Sequence, residues 1–445
     1  MDNESIMDPD DREQTPDSKE KPGAGKEKNK RGIPVWAAVF SILLAALITF
    51  QATYVYLTMK YSSEINGFRS KRSSVSSSLG NAYTLIDEIT KLYEDNYVYD
   101  VDLDSKIEEL LYFYIYNTGD RYARYYSPKE WKEEQSMSSG VSVGVGITAY
   151  PLRYANSNII DEGIFVAQVM SEGAAKDAGI KRGDVITALN GTGLNGMSYA
   201  NAYALLRGED GAALKMTVVR DGETLDFDLI IGKYSYDTVF YHVFERDGVK
   251  IGYIRISEFY EVTVEEFEKA VESLRKEGCG GLIYDIRSNG GGYLDSVAMI
   301  LDYLLPSGPI VKITFSDGKE TVYSSDSRCV SNMPTVVLVD GETASAAELF
   351  AAALKDYEYA TLVGELTYGK GCGQGIFPLT NGGYLLLTSF FYSPPYSGNY
   401  DRIGVTPDIE IELDGRSIRK NALTVKEDED NQLAVAIETI LNKIK

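Results

Sequence analysis

Three short stretches of this chain place reactive side chains beside backbone donors that a fold leaves unpaired. In the first, Val336-Val-Leu-Val-Asp340-Gly-Glu-Thr-Ala-Ser345-Ala-Ala-Glu348, an apolar strand runs into Gly341 and small residues before an Ala-rich helix. Ser345 therefore stands at or near a helix N-terminus, where free N–H groups favour negative charge. That place suits a nucleophile. It also suits an ordinary N-cap, and the segment alone favours the cap.

A serine nucleophile needs a base. The one histidine, His242, lies in the strand-like Tyr241-His-Val-Phe, where a surface or satisfied side chain is the expected role. A lysine serves instead if burial disfavours its ammonium form. Lys370 follows an apolar strand and is flanked by Gly369 and Gly371, which let the backbone approach closely; the bland alternative is a solvated loop lysine. Gly364-Glu-Leu-Thr-Tyr-Gly369-Lys370 also spells a phosphate-loop pattern. Gly371, however, stands where such a loop needs Ser or Thr for magnesium, and Gly-Cys-Gly-Gln-Gly opens a helix poorly. In the third stretch, Ile283-Tyr-Asp285-Ile-Arg287-Ser288-Asn289-Gly290-Gly291-Gly292, a strand ends in a glycine turn before an apolar helix. Its N–H groups are suited to hold an oxyanion, or they make only a tight turn.

The elements that must position these groups follow from periodicity. From Ser235 onward strands (251–256, 281–286, 335–339, 361–364) alternate with helices (263–276, 292–305, 344–355), which is α/β architecture. Residues 138–232 read instead as a small, mainly β domain: strands at 141–145, 163–169, 185–189, 214–220 and 224–231, with helices at 173–178 and 198–206. Residues 80–135 have helical apolar spacing, for example Leu85, Ile89 and Leu92, then Ile107, Leu110 and Leu111, and end near a turn-like Tyr126-Ser-Pro-Lys129. They predict a helical arm, followed by a Ser-rich linker at 136–140. A C-terminal part, 416–445, is a charged linker and an amphipathic helix at 431–444, which packs on its own core or on a second subunit.

Residues 33–59 carry no formal charge, and 27 residues at ~1.5 Å each reach about 40 Å, enough for one transmembrane helix. Six Lys or Arg lie within 15 residues before it and four after, a bias toward a cytoplasmic N-terminus and an exported bulk. The polar tail 1–32 has too few apolar side chains to fold, and its length argues for an uncleaved anchor rather than a signal peptide.

Composition narrows the chemistry further. The 445 residues are 44% hydrophobic and 25% charged, an ordinary globular balance, with a net charge of −22 that sets nucleic acid aside as a partner. One histidine and three cysteines cannot build His-rich or Cys₄ metal sites. Cys279, Cys329 and Cys372 permit one disulfide in three pairings.

Two resemblances connect these pieces. Residues 138–232 resemble a PDZ domain, with Gly179-Ile-Lys-Arg-Gly-Asp184 and Asn190-Gly191 matching its recurrent turns. The likeness implies that Gly144-Val145-Gly146-Ile147 grips a peptide C-terminal carboxylate by backbone N–H groups while the peptide adds as a strand. The three chemical stretches together resemble the C-terminal processing peptidases, or tail-specific proteases. Thr343-Ala-Ser345-Ala-Ala-Glu348 matches the nucleophile segment, and Gly369, Lys370, Gly371 and Gln374 match G-K-G-x-x-Q, 25 residues beyond Ser345. Asp285-Ile-Arg-Ser-Asn-Gly-Gly-Gly matches the strand and turn, and Gly404-Val-Thr-Pro407-Asp408 the closing motif.

The likeness covers about 330 residues and implies Ser345 as nucleophile, Lys370 as general base, Gln374 as the group orienting the lysine, and Gly291 and Ala346 N–H as the oxyanion hole. It implies an α/β protease core at 233–415, a mixed sheet with flanking helices, joined to the PDZ domain, the helical arm and one transmembrane helix. No cofactor is implied. The expected partners are flexible, apolar C-termini of exported proteins, the membrane, a second copy joined through the arm and C-terminal helix, and an activator. The departures are Glu342 near the serine, which is expected to face solvent, Gly290 in place of proline, and Cys372 beside the lysine. A membrane-anchored PDZ adaptor with an inactive protease-like domain is the rival reading.

Overall fold

Strands Gly281–Asp285 and Thr335–Val339 are buried at every position, as strands covered on both faces must be. The computed structural model that shows this describes residues 76–100, 102–152, 154–156, 158–326, 333–415 and 422–444. The tail, the 33–59 span and Cys329 lie outside the described residues. Among the described residues no helix is long and apolar enough to cross a membrane.

The chain forms two units, Met1–Leu103 and Asp104–Lys445. The first contributes helix Ser76–Asn96. In the second, the central sheet runs Val239–Arg246, Val249–Ile256, Gly281–Asp285, Thr335–Val339, Thr361–Gly364 and Ile409–Glu410. The first pair is antiparallel and the rest are parallel. Because the parallel strands are ordered as in the sequence, their right-handed crossovers put helices Glu261–Lys276, Leu294–Leu304 and Ala346–Asp356 on one face.

The other face would lie bare without the C-terminal helix Asn431–Ile444. Its Leu433, Ala436, Ile437 and Ile440 pack on Ile251, Ile283, Val336, Leu338 and Val363. The amphipathic face is therefore covered by its own core. Arg287 locks the helix down, donating to Asp430 at 2.8 and 3.1 Å and to Gln432 at 2.9 Å, while also pairing with Asp285 at 2.6 Å.

A second, antiparallel sheet was not legible as strands in the sequence: Arg124–Tyr126, Tyr384–Ser393, Gly308–Phe315 and Glu320–Ser325, with Cys372–Pro378 also paired to Tyr384–Ser393. The turn-like Tyr126–Lys129 is a strand end and a helix start, with Ser127 as N-cap, Pro128 at N1 and a capping box closed by Glu130. Helix Pro128–Ser138 takes up much of the expected 136–140 linker. Two core helices begin later than periodicity suggests. Gly291 and Gly292 have φ of 112 and 143, and Ser345 has φ 59, so neither turn is yet helical.

The PDZ-like part is a sheet of Glu223–Ile230, Ala213–Arg220, Val185–Leu189, Ile164–Val169 and Ile147–Pro151, with helices Ala174–Ala178 and Tyr199–Arg207 around an apolar core from Val145 to Ile231. Gly179 makes the αL cap its motif demands, at φ 82. The entering and leaving strands, Val141–Gly144 and Gly232–Ser235, pair with each other.

Candidate active site

Asp340 follows the central strand Thr335–Val339 and organises the turn there. Its carboxylate accepts from the N–H groups of Ser288, Glu342 and Thr343, tying the serine turn to the glycine turn. The chain then reaches Ser345 at the N-cap place, as periodicity implies, but with φ 59 and ψ −121 rather than the extended backbone of an ordinary cap. A non-glycine residue held there stores strain and turns its hydroxyl out of the helix path. The Tyr392 hydroxyl lies 3.2 Å from Ser345 Oγ and 2.8 Å from the Lys370 carbonyl, and Tyr400 donates to the Ser345 carbonyl at 3.3 Å.

Lys370 comes from the loop after strand Thr361–Gly364 and leads into strand Cys372–Pro378, whereas a phosphate loop would enter a helix. Its Nζ donates to Gln374 Oε1 at 2.9 Å and lies 4.7 Å from the centre of the Tyr122 ring. Burial pushes the amine below the usual lysine range, against the opposing influence of Cys372, Asp120 and Glu348. No hydrogen bond joins Nζ to Ser345 Oγ, although such contacts commonly close only around substrate.

What joins the two loops is Glu348. Fully buried, its carboxylate accepts from the N–H groups of Ser345, Gly369 and Lys370 at 2.9, 2.7 and 2.8 Å and from Thr367 Oγ1 at 2.5 Å. The sequence held a signal for this residue: Ser345-x-x-Glu348 is the capping-box spacing, in which the glutamate reaches back to the cap N–H.

Gly291 sits hard against the serine, since a side-chain carbon there would lie 2.8 Å from Ser345 Cβ and 3.0 Å from Ala346 N. Its own N–H, however, donates to Asn289 Oδ1 at 2.8 Å and is not free. Ser345, Ala346 and Gly292 line a pocket of about 220 Å³ with Leu294, Phe390 and Tyr392. It offers a mainly apolar wall beside the serine hydroxyl.

Other expected residues lie elsewhere. In the PDZ-like part the Val145 N–H donates to Leu206 O at 3.1 Å, and the pocket along Gly144, Val145, Gly146 and Ile147 holds only about 20 Å³ beside Tyr234 and Arg207. His242 packs between Phe244 and Tyr253, with Nε2 3.3 Å from Glu427, and belongs to no part of the serine site. Glu342 is exposed. Cys279 and Cys372 are free buried thiols and do not pair with each other. Burial, with Asp401 nearby, pushes the Cys372 thiol up to about 11.

With this geometry in hand, the relatives are informative. The profile of Peptidase family S41 matches residues 250–411 and that of the PDZ domain matches residues 133–219. The carboxy-terminal processing protease CtpB of Bacillus subtilis (strain 168) is 30% identical over 332 residues, covering 73% of this chain and 68% of its own. This chain belongs to the C-terminal processing peptidases of family S41. A second B. subtilis relative, CtpA, is 28% identical over 380 residues, covering 84% of this chain and 77% of its own. The chloroplastic carboxyl-terminal-processing peptidase 2 of Arabidopsis thaliana is 33% identical over 297 residues, 65% of this chain and 57% of its own length. A solved S41 protease structure from Bacteroides fragilis shares the fold at a TM-score of 0.54 and 17% identity, covering 79% of this chain and 93% of that one.

Within this S41 peptidase, Glu348, Tyr392, Thr388 and Tyr122 escaped sequence reasoning as site residues. Only Glu348 had a local spacing to betray it.

Proposed function

We propose that this peptidase is a serine endopeptidase working by a Ser345–Lys370 dyad. The observation that carries the reading is the lysine itself: a partly buried amine of lowered proton affinity, oriented by Gln374 and tethered through Glu348 to the turn that bears Ser345. Neutral Lys370 would take the Ser345 proton as Oγ attacks a peptide carbonyl. The protonated Lys370 would return that proton to the departing amine as the C–N bond breaks, leaving an acyl-enzyme on Ser345. Water, deprotonated by the again neutral Lys370, would then release the acid and restore the serine hydroxyl. Ala346 N–H, at the first turn of its helix, would hold the oxyanion, joined by Gly291 N–H once released from Asn289. The apolar wall of Leu294, Phe390 and Tyr392 supports a preference for apolar side chains at the cleaved bond.

Substrates in this reading are flexible C-terminal ends of exported proteins, recognised by the PDZ domain, whose Gly144–Ile147 loop must release Leu206 to take a carboxylate. The 33–59 segment would anchor the chain in the cytoplasmic membrane, with the catalytic part on the extracytoplasmic side. One observation favours the rival, a PDZ adaptor that binds tails without cutting them: Ser345 Oγ meets Tyr392 rather than Lys370.

The test incubates the full-length chain with unfolded casein and compares it with Ser345→Ala and Lys370→Ala. Cleavage by the unmodified chain alone supports the dyad. Tail binding without cleavage by any of the three moves the reading to the adaptor.

A further inference from the structure

Lys370 is held from two sides, and the second side belongs to a distant part of the chain. On the first, Gln374 accepts the amine at 2.9 Å through Oε1. Gln374 stands opposite Thr388 across the sheet, at a bulge between Gly373 and Gln374, and its Nε2 lies 3.4 Å from Thr388 Oγ1. Thr388 Oγ1 in turn donates to Asp120 Oδ1 at 2.8 Å, and Thr388 N–H to Asp120 Oδ2 at 2.9 Å. A hydroxyl that gives its proton to a carboxylate has only lone pairs left, so it can meet only the NH₂ end of Gln374. Asp120 thereby sets which end of that amide faces the lysine.

Two residues after Asp120 comes the second side. The N–H of Tyr122 donates to Asp120 Oδ1 at 3.0 Å, and its ring lies beneath the amine at 4.7 Å. An aromatic face attracts an ammonium and has no such hold on a neutral amine. The ring's other cation, Arg121, lies 5.2 Å from the centroid and donates to Tyr368 Oη at 3.1 Å.

We propose that Tyr122 is a positioning residue for the base, holding the ammonium form of Lys370 beside Gln374 until substrate chemistry calls on the neutral form. This rests on the Ser–Lys reading for its consequence, though not for its geometry. The other groups facing the lysine are Asp120 from the same loop, Glu348 from the serine helix and Cys372 from the following strand. Asp401 sits behind Cys372, and Tyr392 meets the Lys370 carbonyl rather than its amine.

The experiment compares the full-length chain with Tyr122→Phe and Tyr122→Leu. Lys370 is titrated by competitive acetylation with acetic anhydride across pH, read by mass spectrometry of its peptide, with exposed Lys276 as internal reference. Cleavage of unfolded casein is followed over the same pH range. Leucine keeps an apolar cover and loses the π face, so Lys370 should titrate about 0.5–1.5 pH units lower. The acid limb of kcat/KM should move by the same amount. Phenylalanine should reproduce the parent profile.

A Leu variant that titrates with the parent overturns the proposal. So does an upward shift, which would mean the ring only excludes water, or a Phe variant that shifts as far as Leu. Uniform loss of activity with an unmoved lysine titration marks mere packing and also overturns it. Should Lys370 shift as expected while the parent chain never cleaves casein, the ring's hold on the amine stands and the protease reading falls.

Discussion

The backbone N–H groups of Ser345 and Lys370 donate to one atom, Oε2 of Glu348, at 2.9 and 2.8 Å. A single carboxylate thus fixes the separation of two loops whose residues lie 25 apart in sequence. With Gly369 and Thr367 on the other oxygen, its four acceptor positions are filled by four donors.

Replacing Glu348 by Gln turns one of those oxygens into an NH₂ group that faces donors it cannot accept. Each unmet buried donor costs about 1–3 kcal/mol, and the loops are expected to part rather than bear it. The expected result is a loss of kcat/KM of at least about 100-fold with a largely retained circular dichroism spectrum. Casein cleavage within tenfold of the parent would show that the tether is dispensable.

Gln374→Glu tests the base from another direction. Activity needs neutral Lys370, so it rises as pH climbs through the lysine's lowered pKa. A carboxylate at 374 favours the ammonium and raises that pKa. The acid limb of the pH profile should move to higher pH by about 1 unit or more, with activity recovering in alkaline buffer. A limb that stays in place would remove Gln374 from contact with the working amine.

The C-terminal helix should respond to acid. Burial would raise the Asp285 carboxyl, but Arg287 and Arg255 outweigh it and hold the pKa down at about 2, from 3.8 unfolded. A depressed carboxyl stabilises the fold above its unfolded value and loses that contribution as pH falls through its folded one, so the loss falls between about pH 4 and 2. Asp285→Asn should unfold more easily at pH 7 and lose the difference from the parent near pH 2. Equal melting temperatures at pH 7 would contradict the role of the Asp285–Arg287–Asp430 cluster.

Glu258 has the opposite sign. Largely buried beside Glu134, and accepting from Tyr236 at 3.3 Å, it is pushed up from 4.5 to about 7 by burial. Its protonated form is favoured on folding, so its stabilising effect is complete below about pH 4.5 and lost as pH rises through 7. Glu258→Gln should therefore raise stability at pH 8 by on the order of 2 kcal/mol and change little at pH 4.5. Thermal melts at the two pH values check it; destabilisation at pH 8 would mean the carboxylate has a partner it needs.

Local patterns in the sequence sufficed for much of this. Apolar strands running into small or glycine turns marked Ser345, Lys370 and the Gly291 turn, because burial on both faces and tight turns leave direct traces in residue type. Strand and helix periodicity separated the PDZ-like part from the α/β core for the same reason. The amphipathic face of 431–444 was equally plain, but which surface it covers was not.

Tertiary structure alone decided the rest. Only the pairing of Cys372–Pro378 with Tyr384–Ser393 puts Thr388 opposite Gln374, and only the packing of the 120–122 loop brings Asp120 to Thr388 across 268 residues and Tyr122 to Lys370. That Val145 N–H turns to Leu206 is likewise a matter of three-dimensional hydrogen bonding, whereas the Gly291 N–H meets Asn289 only two residues back, a local Asx-type turn. Periodicity records which face of an element is buried and contains no information on what buries it. Contacts between residues hundreds of positions apart leave no local trace, and Asp120 and Tyr122, which reach the lysine from the other end of the chain, are of that kind.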